Sequence, residues 1–414
     1  MFEILRNHTF RRLFTAQVVT LIGTGLLTVA LGLLAYDLAG ADAGAVLGVA
    51  LAIKMVAYVV VAPVAAAVTD RLPQRLLLVG ADVVRAVVAA LLPLVDQPWQ
   101  IYVLIFVLQS ASATFTPAFQ SVIPSVLTEE RDYTRGLSLS RVAYDLESLL
   151  SPILAAALLT VMTYNYLFLG TVVGFALSAS LVVVTLLPKT VTRDPSVPLL
   201  HRITLGARVM FARPVLRGLL AMNLVVAAAT GLVLVNTIVY VRDLLDGSNA
   251  EVAVALSIYG GGSMFVALTL PRILDRIADR RVMLTGCVVV PVGLAATVGL
   301  LLTDPAPGMG WAMLAVIWLT LGAGTSLINT PSAQLLRYES TASDRNAVFT
   351  AQFSLSHACF FFTYLVAGWV GATEGQAAAA VVLAILATLA ALVAVRVWPV
   401  GTKPSTEAVL LEGV

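Results

Sequence analysis

The sequence predicts an all-α membrane protein, with twelve transmembrane helices arranged as two six-helix halves. Three observations carry that expectation. The first is composition: 59% of the 414 residues are hydrophobic and 12% are charged, and the mean hydropathy is +0.96. That charged share is about half of what a soluble domain carries, too little to cover the cores a soluble chain of this length needs. The second is spacing, because apolar windows of about 20 residues, enough to cross a ~30 Å hydrocarbon core, recur twelve times. The third is a motif that returns about half a chain later. Together these exclude a soluble enzyme and a disordered chain. A net charge of +2 leaves no basic footprint for nucleic acid. The two cysteines, Cys287 and Cys359, stand in apolar runs and suggest neither a disulfide framework nor a zinc module. No cofactor is expected.

The first six windows are Phe14–Tyr36, Val46–Val68, Leu76–Val95, Trp99–Ile123, Leu137–Met162 and Tyr166–Leu187. The second six are Leu216–Val241, Val252–Leu270, Val282–Leu302, Trp311–Leu335, Val348–Val370 and Ala377–Val397. Runs such as Val56–Val68 are apolar on every side, unlike the alternating strands of a membrane barrel. Arg6, Arg11 and Arg12 precede a first window too long for a signal h-region, with no A-x-A site after it, so that window reads as a retained helix. With the N-terminus in the cytoplasm, almost every Lys and Arg falls on inner loops, and Arg242 alone falls on an outer one. By the positive-inside rule both termini are then cytoplasmic. The organisation expected is a first half over 1–187, a basic, Pro-containing linker over 188–215, a second half over 216–398 and a tail over 399–414.

The repeat is visible in two places. Asp70-Arg71-Leu72-Pro73-Gln74-Arg75 follows the second window, and Asp275-Arg276-Ile277-Ala278-Asp279-Arg280 follows the eighth. Thr116-Pro117-Ala118-Phe119-Gln120 is echoed by Thr330-Pro331-Ser332-Ala333-Gln334 near the inner end of the equivalent window. Two matches in register indicate a six-plus-six duplication. On these residues the chain resembles the major facilitator superfamily, whose loop signature is G-x-x-x-D-R-x-G-R-R/K. Asp70, Arg71 and Arg75 match it, while Ala66, Pro73 and Gln74 depart from two glycines and a basic position. The resemblance implies the major facilitator fold and alternating access between halves. It also implies a cytoplasmic gate built from Asp70, Arg71, Arg75, Asp275, Arg276 and Arg280. Read on charge placement alone, the same residues only set topology. Leu21–Tyr58 and Leu139–Ser151 are similar to bacterial exporters, a group that spans drug and siderophore efflux proteins and nickel-resistance permeases. The tail Pro399–Val414 lacks the histidines that the nickel permeases often carry.

An ionisable group in a span costs at least about 2.5–3.5 kcal/mol, so each one invites a function. Lys54, Asp82, Arg85, Arg141, Asp145, Glu147 and His357 are the cases here. Counted from Leu137 at 1.5 Å per residue, Asp145 stands ~12 Å and Glu147 ~15 Å into the fifth span. Arg141 and Asp145, four apart, can pair along the helix. Asp145 and Glu147 point about 200° apart, so one would be bridged structurally and the other would carry a proton; a fully paired network is the alternative. Glu147-x-x-x-Ser151-Pro152-x-x-Ala155-Ala156 follows the spacing of the exporter motif G-x-x-x-G-P-x-x-G-G. Lys54 either snorkels outward or pairs with Glu147 or Asp37. Asp82 and Arg85, three apart, are expected to pair. His357, ~17 Å into the eleventh span, could titrate, ligate a metal or simply hydrogen-bond.

In the family fold the first and fourth helices of each half line the cavity, which here implicates Gln17, Thr24, Gln109, Asn236 and Asn329 among other amides and hydroxyls. Such a lining suits an amphipathic molecule or a partly hydrated cation. The leading function is a monomeric, proton-coupled exporter of a small molecule or ion, with substrate, protons and the bilayer as its partners. A divalent-metal exporter using His357 is the alternative, and a membrane sensor or scaffold a further one. No paired catalytic set, G-x-S-x-G or Walker A motif points to an enzyme.

Overall fold

The computed structural model describes residues 2–61, 73–127, 129–185, 199–274, 276–303, 305–341 and 345–399. The described residues form helices and turns, with no strand among them. The first half contributes α1 (His8–Ala39), α2 (Ala43–Val56), α3 (Gln74–Leu91), α4 (Pro98–Val126), α5 (Glu130–Leu159) and α6 (Asn165–Val183). A further helix, α7 (Leu199–Ala212), follows before α8 (Pro214–Val239), α9 (Asn249–Leu274), α10 (Asp279–Thr303), α11 (Pro307–Tyr338), α12 (Arg345–Thr373) and α13 (Gln376–Val397). The expected linker is therefore partly helical: α7 is an amphipathic helix of 14 residues. Nine apolar segments among the described residues are long enough to cross a membrane, the first of them joining α1 and α2.

Local chemistry sets the helix ends. Asn7 caps α1, its Oδ1 accepting from the Thr9 and Phe10 amides at 3.0 and 3.1 Å. Pro98, Pro214 and Pro307 open α4, α8 and α11 at positions whose amide has no intrahelical partner. The tight turns before α2 and α13 use Gly40 (φ 54°) and Gly375 (φ 93°), backbone that a Cβ disfavours. Two helices end in a π-helical turn: α2 continues as Ala57–Val61, and α8 as Tyr240–Leu244.

Each packing contact in the first half has a counterpart in the second. α1 packs on α6 and α5 as α8 packs on α13 and α12; α3 packs on α6 as α10 packs on α13; α2 packs on α4 as α9 packs on α11. The halves meet through α2 on α12 and α5 on α9, which are again equivalent pairs. This is the duplication foreseen in the loop motifs, expressed as geometry. Apolar side chains such as Val87, Leu169, Val173, Val292, Ile385 and Leu389 are exposed on the peripheral helices α3, α6, α10 and α13, where hydrocarbon solvates them. Trp318 of α11 is fully buried, donating from Nε1 to Thr237 Oγ1 at 2.9 Å.

At the Gly260–Gly262 run α9 crosses closely on α11. A Cβ on Gly322 would overlap the Tyr259 carbonyl, and one on Gly262 would overlap that of Leu319. Gly322→Val should cost about 1–3 kcal/mol by forcing the backbones apart. Chemical unfolding in detergent micelles checks this, and an unchanged midpoint would show the crossing to be tolerant.

Candidate functional site

The end of the bundle at which α1 passes into α2 is called the far end, and the end at which α1 begins and α13 finishes the near end. Midway along the bundle, α1, α2, α5 and α12 bring charged and aromatic groups together. Glu147 on α5 is partly exposed, and its Oε1 lies 3.0 Å from where a Cβ on Gly25 of α1 would stand. The same Cβ would overlap Ser151, so the glycine makes room for both α5 side chains. Among the described residues, Lys54 on α2 is the charged group to which Glu147 is electrostatically coupled. They stand beyond ion-pair distance, with no bridge between them within the 4.0 Å at which Arg85 and Asp82 form one. Ser151 Oγ and Thr20 Oγ1, on the same two helices, are buried without a hydrogen-bond partner among the described residues.

One turn after Lys54, the π-turn carries Tyr58. Its ring centroid lies 5.6 Å from that of His357 and 6.1 Å from that of Phe353, both on α12. The His357 ring lies tilted against that of Phe353, centroids 4.0 Å apart, and its Nδ1 is 2.7 Å from the Phe353 carbonyl. A carbonyl only accepts, so Nδ1 carries a proton, and in the neutral ring Nε2 is then the acceptor. The charged group nearest in effect to His357 is Lys54. Rings and a cation are poor company for a metal, and the described residues hold no group of three His, Cys, Asp or Glu able to bind one.

Above this cluster the far end is closed. Gly48 of α2 and Gly368 of α12 bring their backbones together: a Cβ on Gly48 would be 2.6 Å from the Tyr364 carbonyl, and one on Gly368 would overlap that of Gly44. Tyr36 at the end of α1 donates its hydroxyl to Asp243 in the α8 π-turn. The Arg242 guanidinium sits 5.2 Å from the Tyr36 ring centroid and donates to the Gly247 carbonyl at 3.0 Å. Between α1, α2, α8 and α9 a cleft of about 20 Å³ remains, lined by Thr28, Gly32, Leu51 and Thr237 among others. That is room for about one water and for no organic substrate.

The residues singled out from sequence fall into distinct places. Glu147, Lys54 and His357 gather near the half interface, whereas the side chains of Arg141 and Asp145 lie outside the described residues, as do Asp70, Arg71 and Asp275. Arg75 and Arg276 are exposed at the near end, and Arg280 donates to the Trp398 carbonyl at 3.1 Å. Gln17 is buried and accepts from Ser140 of α5 at 2.9 Å. Thr24 bonds back to the Thr20 carbonyl. Gln109 is buried and Asn329 exposed. Asn236 is fully buried, its amide donating to the Ala367 carbonyl and to Gln376 Oε1; it ties α8 to α12 and α13 rather than lining an open cavity. Asp37, weighed as a partner for Lys54, meets Tyr164 instead. Sequence reading missed Tyr58 and the Tyr36–Asp243–Arg242 group. The available signals were the i, i+4 spacing of Tyr58 from Lys54 and Arg242 as the lone basic residue of the outer loops.

A family model for the Major Facilitator Superfamily matches residues 13–309. The chain belongs to that superfamily. Macrolide efflux protein A of Streptococcus pyogenes is 25% identical over 185 residues, 44% of this chain and 45% of that protein. The Enterococcus faecalis protein of the same name is 26% identical over 137 residues, 32% of this chain and 42% of its own length. The chain thus matches less than half the length of these relatives. Among solved structures, a variant of the nucleoside transporter NupG superposes with a TM-score of 0.72 at 14% identity, over 94% of this chain and all of that one. A bacterial homologue of the lysosomal transporter Spinster, inward-facing and unoccupied, gives 0.68 at 13% identity over 96% and 99%. At such identities the superpositions establish the fold, a multi-pass helical membrane architecture.

Proposed function

We propose that this chain is a proton-coupled secondary exporter of an amphipathic organic molecule, working by alternating access in the bacterial plasma membrane with both termini in the cytoplasm. The observation that carries the reading is the Glu147–Lys54 pair, coupled across α5 and α2 without being locked in contact. A charge within a span persists only where something compensates it. Here the compensation is partial, and so it can be exchanged for a proton. Deprotonated Glu147 attracts Lys54 and holds α5 toward α2. Protonation removes the attraction and frees the carboxyl side of the site. Substrate arriving from the cytoplasm displaces the proton, and the proton gradient resets the carboxyl. The efflux activity in the names of the partial relatives supports the outward direction. The ring faces of Tyr58, Phe353 and His357 offer apolar contact for a large ligand. In this reading Asp70, Arg71 and Arg75, with Asp275, Arg276 and Arg280, close the near end when the far end opens.

The test is export from cells of an efflux-deficient bacterium, challenged with macrolides, unrelated drugs, nickel and cobalt. Glu147→Gln should lower the export rate at least about tenfold, equivalent to ~1.4 kcal/mol of lost driving interaction, with unchanged protein in the membrane. Lys54→Met should do the same. Full protection by both variants would sink proton coupling through this pair. Protection from metals alone, lost in His357→Ala, would replace organic efflux with metal export.

A further inference from the structure

The linker helix α7 has two faces that the half interface does not explain. One is packed down: Gly206 and Met210 are buried, and a Cβ on Gly206 would overlap the Ala347 carbonyl and stand 2.9 Å from Ala351. So α7 lies backbone to backbone on the first turns of α12. The other face is open. Leu205, Arg208 and Phe211 recur at i, i+3 and i+6 and are all exposed, Phe211 at 58%. With Ala207 and Ala212, Arg208 and Phe211 line a shallow groove of about 540 Å³. The next helix, α8, begins at Pro214 and is itself a candidate membrane span, so α7 ends where the chain enters that span. Arg217, one turn into α8, is exposed as well. Arg213 between them is committed elsewhere: it is coupled to Glu339, whose carboxyl burial raises above its usual range while the guanidinium draws it back.

We infer that the open face of α7, with Arg208 and Phe211 at its centre and Arg217 beside it, is a docking surface for anionic phospholipid of the adjacent leaflet. The chemistry matches on both counts. An exposed phenylalanine and leucine in line with an arginine is the pattern of a helix lying in the interface, rings toward the acyl boundary and cation at the phosphates. Arginine suits a phosphate diester because its planar fork can donate twice. A water-facing helix would gain nothing from exposing Phe211, and a zwitterionic headgroup, whose choline balances its phosphate, offers the arginines no net counter-charge. Because α7 rests on α12 through Gly206, and α12 carries Phe353 and His357, the lipid also braces the helix that faces Tyr58. This inference depends on membrane insertion and topology alone and stands apart from the proposed transport activity.

The test uses the full chain with Cys287→Ser and Cys359→Ser, reconstituted in vesicles of phosphatidylcholine with or without phosphatidylglycerol. A nitroxide placed at Phe211→Cys should be reached by oxygen in preference to a water-soluble nickel chelate, which places it below the headgroups. Spin-labelled phosphatidylglycerol should then be retained over spin-labelled phosphatidylcholine by at least about fivefold, the preference expected for one basic residue at an anionic surface. Arg208→Gln with Arg217→Gln should bring that ratio close to one, and high salt should weaken it. A label at position 211 exposed to the aqueous chelate, or a lipid preference untouched by the double substitution, overturns the inference. Retention of both lipids alike would leave an apolar contact without headgroup recognition, and that result also overturns it.

Discussion

Arg85→Leu should cost the fold about 3–5 kcal/mol, the range found when one partner of a buried pair is removed. Arg85 is 3% exposed and Asp82 0%, and the two pair across one turn of α3. The guanidinium lies between the rings of Phe115 on α4 and Phe175 on α6, at 4.3 and 4.6 Å from their centroids. One cation therefore neutralises a carboxylate and joins three helices. Leucine in its place leaves Asp82 without its cation, so the carboxyl must either stay charged where water is excluded or take up a proton, and both cost free energy. Asp82→Leu combined with Arg85→Leu should recover most of the loss, since it removes the orphan charge. What it does not restore is the contact of a cation with two ring faces, worth about 0.5–2 kcal/mol each. Unfolding by a denaturing detergent separates the cases. A single variant as stable as the parent would show that solvent or lipid headgroups reach Asp82. A double variant as unstable as the single would mean that ring packing, and not charge, holds these helices.

Much of this architecture is legible in the sequence because the bilayer constrains it strongly. A span must satisfy every backbone group internally, so long apolar windows can only be helices, and the loop motifs Asp70–Arg75 and Asp275–Arg280 expose the duplication. The Asp82–Arg85 pair follows from i, i+3 spacing, whereas the scarcity of intramembrane charge leaves Lys54 to snorkel or to meet Glu147 or Asp37, and the fold brings it into electrostatic coupling with Glu147. Other features are set by tertiary contact. Asn236 reads like a cavity amide, yet its partners Ala367 and Gln376 lie more than a hundred residues away. Gly48 and Gly368 are two glycines among 29, and only the approach of α2 to α12 singles them out. The π-turns at Ala57–Val61 and Tyr240–Leu244 leave no mark in hydropathy, although both deliver the residues that cross between halves. The helical part of the linker was hidden by the prolines on either side of it.

Gly368→Leu should hold the far end open. In the present arrangement a Cβ at this position overlaps the Gly44 carbonyl, and the neighbouring Gly48 is equally tight against Tyr364. A leucine cannot be accommodated by rotamer change, because the obstacle is backbone. Gly368 belongs to α12 and its obstacle to α2, so the two sit in different halves. A tilt of one half against the other relieves the clash without disturbing either half internally, and bistable interfaces are where such small steric changes are amplified. The expected result is a folded protein in normal amount whose far-end separation is larger by several ångströms, about the depth of one side-chain layer. Spin labels at Asp96 and Glu374, exposed positions on the two halves, would read this by pulsed electron resonance in a Cys287→Ser, Cys359→Ser background. Tyr36→Phe should move the same distance distribution far less. Its bond to Asp243 is exposed, and a solvent-shared hydrogen bond contributes only about 0.5–1.5 kcal/mol, a population shift of roughly tenfold at most. The contrast is the informative part. A wedge that opens the far end beside a weak latch means that helix packing sets the closed state and the polar contacts trim it. Loss of folded protein in Gly368→Leu with an unchanged distance would place the glycine contact inside a rigid core, and the two halves would not then be bodies that move.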